Sequence, residues 1–323
     1  MRVLVTGGAG YIGSVTTAEL LGAGHEVVVV DDLSTGHADA VPADAQFYRL
    51  GITELDDVLG ELPIDAVIHF AAKALVGESV IDPALYWTNN VVGTAALLDA
   101  ARHHGINRIV FSSTSATYGD AVEMPMRESA PTVPTSPYGA SKLAVDLMLS
   151  SYAPAYGIAA VSLRYFNVAG ARIDTDGASQ GERHTVETHL IPLALRMAAG
   201  ERPALDVYGT DYPTADGTCI RDYIHVVDLA DAHIRALALG RPGEHHIVNL
   251  GSGTGYSVRE VIEAVETATG RHLAVRETDR RPGDPAITIA SNDKAATLLG
   301  WRPQRGLDQM VGDAWTFHQS RAR

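Results

Sequence analysis

The chain contains a single cysteine, Cys219, which excludes an internal disulfide. Basic residues are scarce beside acidic ones, 25 Lys and Arg against 39 Asp and Glu, giving a formal net charge of −14. That balance disfavours attraction to phosphate polymers and to anionic lipid surfaces, so neither nucleic acid nor a membrane is expected as a partner. It leaves nucleotides open, because a small phosphate ligand is held by local backbone amides and dipoles rather than by net charge. No apolar run is long enough to span a bilayer, no cleavable-looking leader precedes the first strand, and no repeat or low-complexity tract is visible. A soluble protein in a reducing cytoplasm is expected.

What is present is a globular composition: of 323 residues, 46% are hydrophobic and 20% charged, too apolar for intrinsic disorder. At about 150 residues per domain, the length allows roughly two domains, or one large α/β domain with a smaller lobe. The first half alternates β-branched runs with stretches of helical spacing. Strands are expected at Val3–Thr6, Glu26–Val30, Ala66–Phe70, Arg108–Ser112 and Ala159–Tyr165, and helices at Tyr11–Ala23, Leu55–Leu59, Pro83–His103 and Pro137–Ala155. Val27-Val28-Val29-Val30 is continuous in the way of a strand covered on both faces. After about Asn167 the rhythm loosens into polar, turn-rich stretches at Ala171–His184 and Gly209–Gly217. Short strands at Leu205–Tyr208, Ile220–Val227 and His246–Leu250, and an amphipathic helix at Val258–Thr269 capped by Ser257, complete the pattern. The expected architecture is a Rossmann-type doubly wound parallel sheet with a smaller C-terminal α/β lobe. Its boundaries fall at 1–166 with roughly 220–250 for the sheet domain, and 167–219 with 251–323 for the lobe.

Gly7-Gly8-Ala9-Gly10-Tyr11-Ile12-Gly13 lies between the first strand and the first helix, with glycines at 7, 10 and 13. Such a turn lets a pyrophosphate approach bare backbone at a helix N-terminus, and its last glycine allows close packing of helix on strand. Asp31 ends the second strand, where a carboxylate accepts from ribose hydroxyls and repels a 2′-phosphate. Asp31-Asp32 is followed by Leu33-Ser34-Thr35 without a nearby Arg or Lys, which favours NAD over NADP.

Pro137-Tyr138-Gly139-Ala140-Ser141-Lys142 opens a predicted helix, so Tyr138 and Lys142 project from one face. A phenol titrating near pH ~10 is a poor base at neutrality, and a neighbouring ammonium favours its phenolate. Phe111-Ser112-Ser113-Thr114 ends a predicted strand at the carboxyl edge where open α/β sheets place their ligands, and Thr114 there can hydrogen-bond a reacting oxygen.

Gly7 to Ser14, Phe111 to Ser113 and Tyr138 to Lys142 resemble the extended short-chain dehydrogenase/reductases. His69-Phe70-Ala71-Ala72, Val76 to Ser79, Asn89 to Thr94, Leu163 to Asn167 and above all Tyr212 to Val226 narrow the resemblance to the UDP-glucose 4-epimerases, over nearly the whole chain. The resemblance implies an isomerase of galactose metabolism acting on a UDP-hexose, in which bound NAD takes a hydride from C4, the 4-keto sugar turns over, and hydride returns to its other face. It assigns Tyr138 as base, Lys142 as the residue that holds the nicotinamide ribose and lowers the tyrosine pKa, and Thr114 as the hydroxyl at O4. The implied cofactor set is Gly7, Gly10, Tyr11, Ile12, Gly13, Asp31, Asp32, Ser34, Thr35, Gly36, Gly51, Ile52, Phe70, Ala71, Ala72, Asn89, Ser112 and Phe166, with Tyr138 and Lys142. The implied substrate set is Lys73, Asn167, His189, Leu190, Tyr208, Arg221, Arg281, Asp284 and Thr288, with Thr114 and Tyr138. No metal is expected. A homodimer through the 83–103 and 137–155 segments is implied as well.

The chain departs from its relatives in three places. Gly51-Ile52 replaces Asp-Ile, removing one hydrogen bond to the adenine amino group; Lys73 precedes Ala74, where relatives often carry a lysine; and His189 replaces asparagine. Thr288 stands where bulky residues limit the sugar pocket, so N-acetylhexosamines are sterically admissible. A uronate epimerase and a 4,6-dehydratase share the scaffold. The latter needs a carboxylate pair beside the active-site hydroxyl, and Thr114 is followed instead by Ser115-Ala116-Thr117. A non-enzymatic nucleotide sensor is the remaining alternative.

Overall fold

The computed structural model describes residues 1–120, 123–174, 179–281 and 283–321. In chain order the strands are β1 (Arg2–Thr6), β2 (Glu26–Val30), β3 (Gln46–Tyr48), β4 (Ala66–His69), β5 (Arg108–Thr114), β6 (Ala159–Tyr165), β7 (Asn167–Ala169), β8 (Ala171–Ile173), β9 (Ser179–Gly181), β10 (Leu205–Tyr208), β11 (Ile220–His225), β12 (His245–Leu250), β13 (Gly255–Ser257), β14 (Val275–Thr278) and β15 (Ile287–Thr288). Seven of them form one sheet in the order β12-β6-β5-β4-β1-β2-β3, every neighbouring pair parallel. The strand order reverses between β1 and β4, which opens a ligand crevice beyond their carboxyl ends.

The helices are α1 (Tyr11–Gly22), α2 (Asp56–Glu61), α3 (Val76–Ile81), α4 (Pro83–Tyr86), α5 (Gly93–His103), α6 (Pro137–Tyr156), α7 (Leu190–Ala198), α8 (Val226–Ala236), α9 (Val258–Thr269), α10 (Asp293–Leu299) and α11 (Leu307–Arg321). Alternate strand residues feed two cores. Val3, Val5, Val29 and Ile68 face Leu229, Ala232 and Ala236 of α8, whereas Leu4, Val28, Val67 and Phe111 face Leu97 and Leu98 of α5 and Val145 and Leu149 of α6. Each such fully buried side chain stabilises the fold by about 1.5–3 kcal/mol relative to exposure. A third core, under α7, α9 and α11, supports the second lobe.

Local sequence explains the ends of the site-bearing helices. In α6, the Ser136 hydroxyl accepts from Gly139 N–H at 3.1 Å, Pro137 occupies the first turn, and Gly157 stops the helix at φ +70°. In α9, Ser257 and Glu260 form a capping box.

Two expectations are corrected. The helix read as continuous over 83–103 contains a π-helical turn at Trp87–Val92 between α4 and α5, because the buried Asn90 side chain engages the Lys73 backbone and the Ser141 hydroxyl across the fold. The strand read over Ile220–Val227 stops at His225, whose Nδ1 accepts from Val227 N–H at 3.1 Å and caps α8. Part of the polar stretch at 171–184, residues 175–178, lies outside the described residues.

Strand β11 serves both lobes. Ile220 to Asp222 pair with β13 and Ile220 and Arg221 with β15, while Tyr223 to His225 pair with β7. At its middle the buried Asp222 carboxylate accepts from the amides of Ser252, Gly253 and Ala290 and from the Ser252 hydroxyl.

Candidate active site

The turn after β1 is built for close approach. Gly7 has φ +73°, and a Cβ there would lie 2.6 Å from Ala71 N; at Gly13 it would lie 2.1 Å from the Gly7 carbonyl. Among the described residues no side chain caps the N-terminus of α1 at Gly10, which leaves its first amides available to an anion. The Asp31 carboxylate, at the end of β2, accepts from Ala9 N–H at 3.0 Å and Leu33 N–H at 2.8 Å, and burial pushes its pKa up. Both oxygens keep lone pairs for ribose hydroxyls. Asp32 accepts from Ser34 N–H at 2.8 Å, and Thr35 lines a small cavity with Ala9, Gly10 and Tyr11. A Cβ at Gly36 would press against Ala9 and Asp31. Phe70 and Ala71 follow β4 across the crevice, their amides bonded to the Thr6 carbonyl. These features fit a dinucleotide.

One expectation here is corrected. Sequence proximity leaves no cation beside Asp31-Asp32, but the segment after β4 brings Lys73 Nζ to 3.2 Å from Ser34 Oγ. Lys73 therefore lies at the cofactor end of the crevice, where the two aspartates still keep the surroundings anionic. Gly51, at the carboxyl end beyond β3, donates its amide to Glu54 Oε2 at 3.0 Å, and Ile52 packs against the position of Gly93. Asn89 donates to the buried Asn90, whose side chain holds the Lys73 backbone. Tyr11 donates to the Gly170 carbonyl at 2.6 Å, Ile12 joins the core beneath α1, and Phe166 is buried at the end of β6. Ala72 precedes Lys73 on the same segment.

The reactive group assembles at the ends of β5 and α6. Burial pushes the Tyr138 phenol above its ordinary value, and a hydrogen bond from the Thr114 hydroxyl pulls it down. Lys142 is buried, with Nζ donating to the Ser112 carbonyl at 2.8 Å and lying 4.8 Å from the centre of the Phe111 ring. Desolvation brings its ammonium down to about 7, against the pull of Asp146. Ser112 Oγ meets the Tyr165 hydroxyl. Asp146, one turn past Lys142, bonds Arg164 at 2.8 Å and Ser113 at 3.1 Å, and both members of the ion pair are buried. Sequence reading missed this pair, although the i, i+4 spacing from Lys142 was its signal. It also missed His69, whose ring bridges the Thr6 and Thr94 hydroxyls at 2.7 and 2.8 Å and whose pKa burial lowers to about 3. Because Thr94 donates to the Asn90 carbonyl, it accepts from His69 Nε2, and Nδ1 accepts from Thr6.

The second lobe gathers Tyr208, Arg221, Arg281 and Asp284. The Arg281 guanidinium stacks 4.9 Å from the Tyr208 ring centre and pairs with Asp284 at 2.9 Å; Arg221 Nη2 lies 3.6 Å from Asp284 and, among the described residues, has no hydrogen-bond partner. A buried guanidinium nitrogen left open beside a second arginine is suited to a diphosphate. Thr288 pairs with Arg221 across β11 and β15, and Asn167 Nδ2 donates to the Asp222 carbonyl at 3.1 Å. Leu190 starts α7 against the third core. His189 is drawn elsewhere: its Nδ1 meets Glu182, in a group with His184 and Glu187. Within that group burial raises the Glu182 carboxyl but its two histidine neighbours bring it down to about 2, and the adjoining carboxylates push His184 up to about 10.

Residues 3–251 match the NAD dependent epimerase/dehydratase family. The chain is 51% identical over 319 residues to a UDP-glucose 4-epimerase of Corynebacterium glutamicum, covering 98% of this chain and 95% of that protein. It is 53% identical over 326 residues to one from Streptomyces lividans, covering 99% and 96%. The crystal structure of UDP-glucose 4-epimerase from Brucella ovis in complex with NAD superposes with a TM-score of 0.92 at 46% identity, covering 98% of each chain.

Proposed function

The chain belongs to the NAD dependent epimerase/dehydratase family, and from that premise we infer that it is an NAD-dependent isomerase that interconverts UDP-glucose and UDP-galactose by inverting C4. The observation that carries the reading is buried Lys142 one turn along α6 from Tyr138, its Nζ donating to the Ser112 carbonyl at the carboxyl edge of the sheet, where Thr114 acts on the phenol.

When bound, NAD supplies a hydride acceptor, and then a donor, at C4. Tyr138 takes the proton of the 4-hydroxyl and returns it to the same oxygen after the sugar has turned its other face to the cofactor. Thr114 holds that oxygen and stabilises the phenolate by donating to it. Lys142 adds positive charge beneath the site and a donor for a ribose hydroxyl. Asp31 and Asp32 anchor the adenosine ribose, and the amides at Gly10 and Tyr11 receive pyrophosphate. Arg221 and Arg281 clamp the UDP diphosphate, with Tyr208, Asn167 and Leu190 around the nucleotide. The sheet domain, 1–166 with roughly 220–250, holds NAD, and 167–219 with 251–323 hold the UDP-sugar.

Thr288, in place of a bulkier side chain, supports a second substrate class, UDP-N-acetylhexosamines. A 4,6-dehydratase is not supported, because the turn Ser115-Ala116-Thr117 offers no carboxylate beside Thr114. We place the working protein in the cytoplasm as a homodimer. Exposed Val80, Ile81, Trp87, Val92 and Leu147 support that assembly, lying on α3, the π turn and α6 in the region of the expected dimer helices.

The test is to incubate purified protein with UDP-galactose and no added cofactor, and to follow UDP-glucose by chromatography. Conversion that disappears in Tyr138→Phe is the expected result. Silence with UDP-galactose, UDP-N-acetylglucosamine and UDP-glucuronate, with NAD supplied, would overturn the reading.

A further inference from the structure

We propose that Glu182, His184, Glu187 and His189 form a binding site for one divalent transition-metal ion, zinc by preference. The four side chains each present one ligand atom, and these atoms lie within 4.8 Å of one another. Imidazole nitrogen with carboxylate oxygen is the donor set of zinc and its first-row neighbours.

Burial separates this cluster from an ordinary acidic surface. The Glu187 side chain is 1% exposed and that of Glu182 7%. Among the described residues neither carboxylate pairs with an arginine or lysine: Arg183 is turned to Asp39, and Arg196 donates to the His184 carbonyl. Two carboxylates withdrawn from water without a fixed cation require a positive partner in the site itself.

The orientation of the donors points the same way. Glu187 Oε1 accepts from the amides of Thr188 and His189, each at 2.8 Å, which fixes the carboxylate; its Oε2 takes no hydrogen bond from a described residue and lies 3.7 Å from His184 Nδ1. His184 Nδ1 is buried and stands 3.1 Å from Glu182 Oε1, yet is aligned to neither carboxylate as a donor and is left without a hydrogen-bond partner. His184 Nδ1, 3.1 Å from Glu182 Oε1 and 3.7 Å from Glu187 Oε2, is spaced for a shared central ion, since ligands at ~2.0–2.2 Å in a tetrahedron stand about 3.4 Å apart; His189 Nδ1 meets Glu182 directly, a hydrogen bond that an ion would replace. All four residues come from one eight-residue span between β9 and α7, so little chain entropy is lost in closing the ring around an ion.

The site abuts the glycine turn. Its two carboxylates act on the Tyr11 phenol, and His184 shares a small cavity with Gly10 and Tyr11. A bound ion therefore fastens the β9–α7 span against the N-terminus of α1. The role is structural, and it does not depend on which sugar is turned over.

The test uses the full-length protein, stripped with a chelator, dialysed and titrated with Co²⁺ and then Zn²⁺. One Co²⁺ per chain with visible d–d absorption, displaced by Zn²⁺, is expected, and Zn²⁺ should raise the melting temperature of the stripped protein. Glu187→Gln should weaken binding by more than the roughly 10–100-fold that loss of even an outer-shell partner costs. His189→Gln, at a half-exposed position, provides the same comparison if Glu187→Gln does not fold. His272→Ala, at an exposed histidine remote in sequence, should leave binding unchanged. Absence of stoichiometric binding, or equal binding by the wild type and the cluster variant, would show a hydrogen-bonded cluster that holds protons only and would overturn the proposal.

Discussion

Lys142 Nζ donates to the carbonyl oxygen of Ser112 at 2.8 Å, so its ammonium is anchored to β5 before any ligand arrives. Its pKa, brought down to about 7 by burial, makes it a destabilising charge at acid and neutral pH. The folded state holds fewer protons than the unfolded state between about pH 7 and the ordinary lysine value, so stability rises with pH through that window. Lys142→Met should therefore match or exceed the wild type in urea midpoint at pH 6, and lose that advantage by pH 9. Its turnover should fall at both pH values.

Tyr138→Phe should lose about 10²–10⁴-fold in kcat, the usual scale for a positioned acid or base, with UDP binding retained by calorimetry. Thr114→Val tests the hydrogen bond between the two. Removing a donor to the phenolate raises the Tyr138 pKa, so the acidic limb of the kcat/KM profile should move to higher pH. An unshifted limb would assign that limb to another group.

Asp146 and Arg164, 2.8 Å apart and buried, should be more costly to break than to replace. Asp146→Leu leaves an uncompensated guanidinium and should destabilise by about 3–5 kcal/mol, while the double variant with Arg164→Leu should lose less. Urea unfolding of the two single variants and the double variant measures the coupling.

Thr288 pairs with Arg221, so a larger side chain at 288 narrows the space beside the Arg221 side chain. Thr288→Tyr should reduce turnover of UDP-N-acetylglucosamine by at least about tenfold relative to UDP-glucose. Equal loss with both sugars would remove Thr288 from sugar selection.

The glycine turn, Asp31 and the Tyr138–Lys142 pair were legible in the sequence because each is a short-range pattern whose spacing determines its geometry. The alternation of strands and helices likewise conveyed the parallel sheet. What escaped depends on which distant segments meet. Lys73 reaches Ser34 only because the β4 loop folds across the crevice, and the π turn exists because Asn90 bonds to partners in two other elements. His225 ends a strand by capping the next helix with its own ring, so the residues read as one strand are divided by a side chain. The α7 segment begins just after the Glu182–His189 cluster, whose pattern resembles no helix start.

Strand β11, shared between the two lobes, has a mechanical consequence. A hinge needs a few residues free to change their backbone angles. The residues joining the lobes are instead held by ladders along both halves of the strand and by four hydrogen bonds to Asp222 at its middle. Arg221 on β11 and Thr288 on its partner strand β15 are consequently carried on a fixed frame. With the nucleotide held there as proposed, the choice among sugars falls to the side chains fixed on that frame, Thr288 among them, rather than to the timing of a closing door.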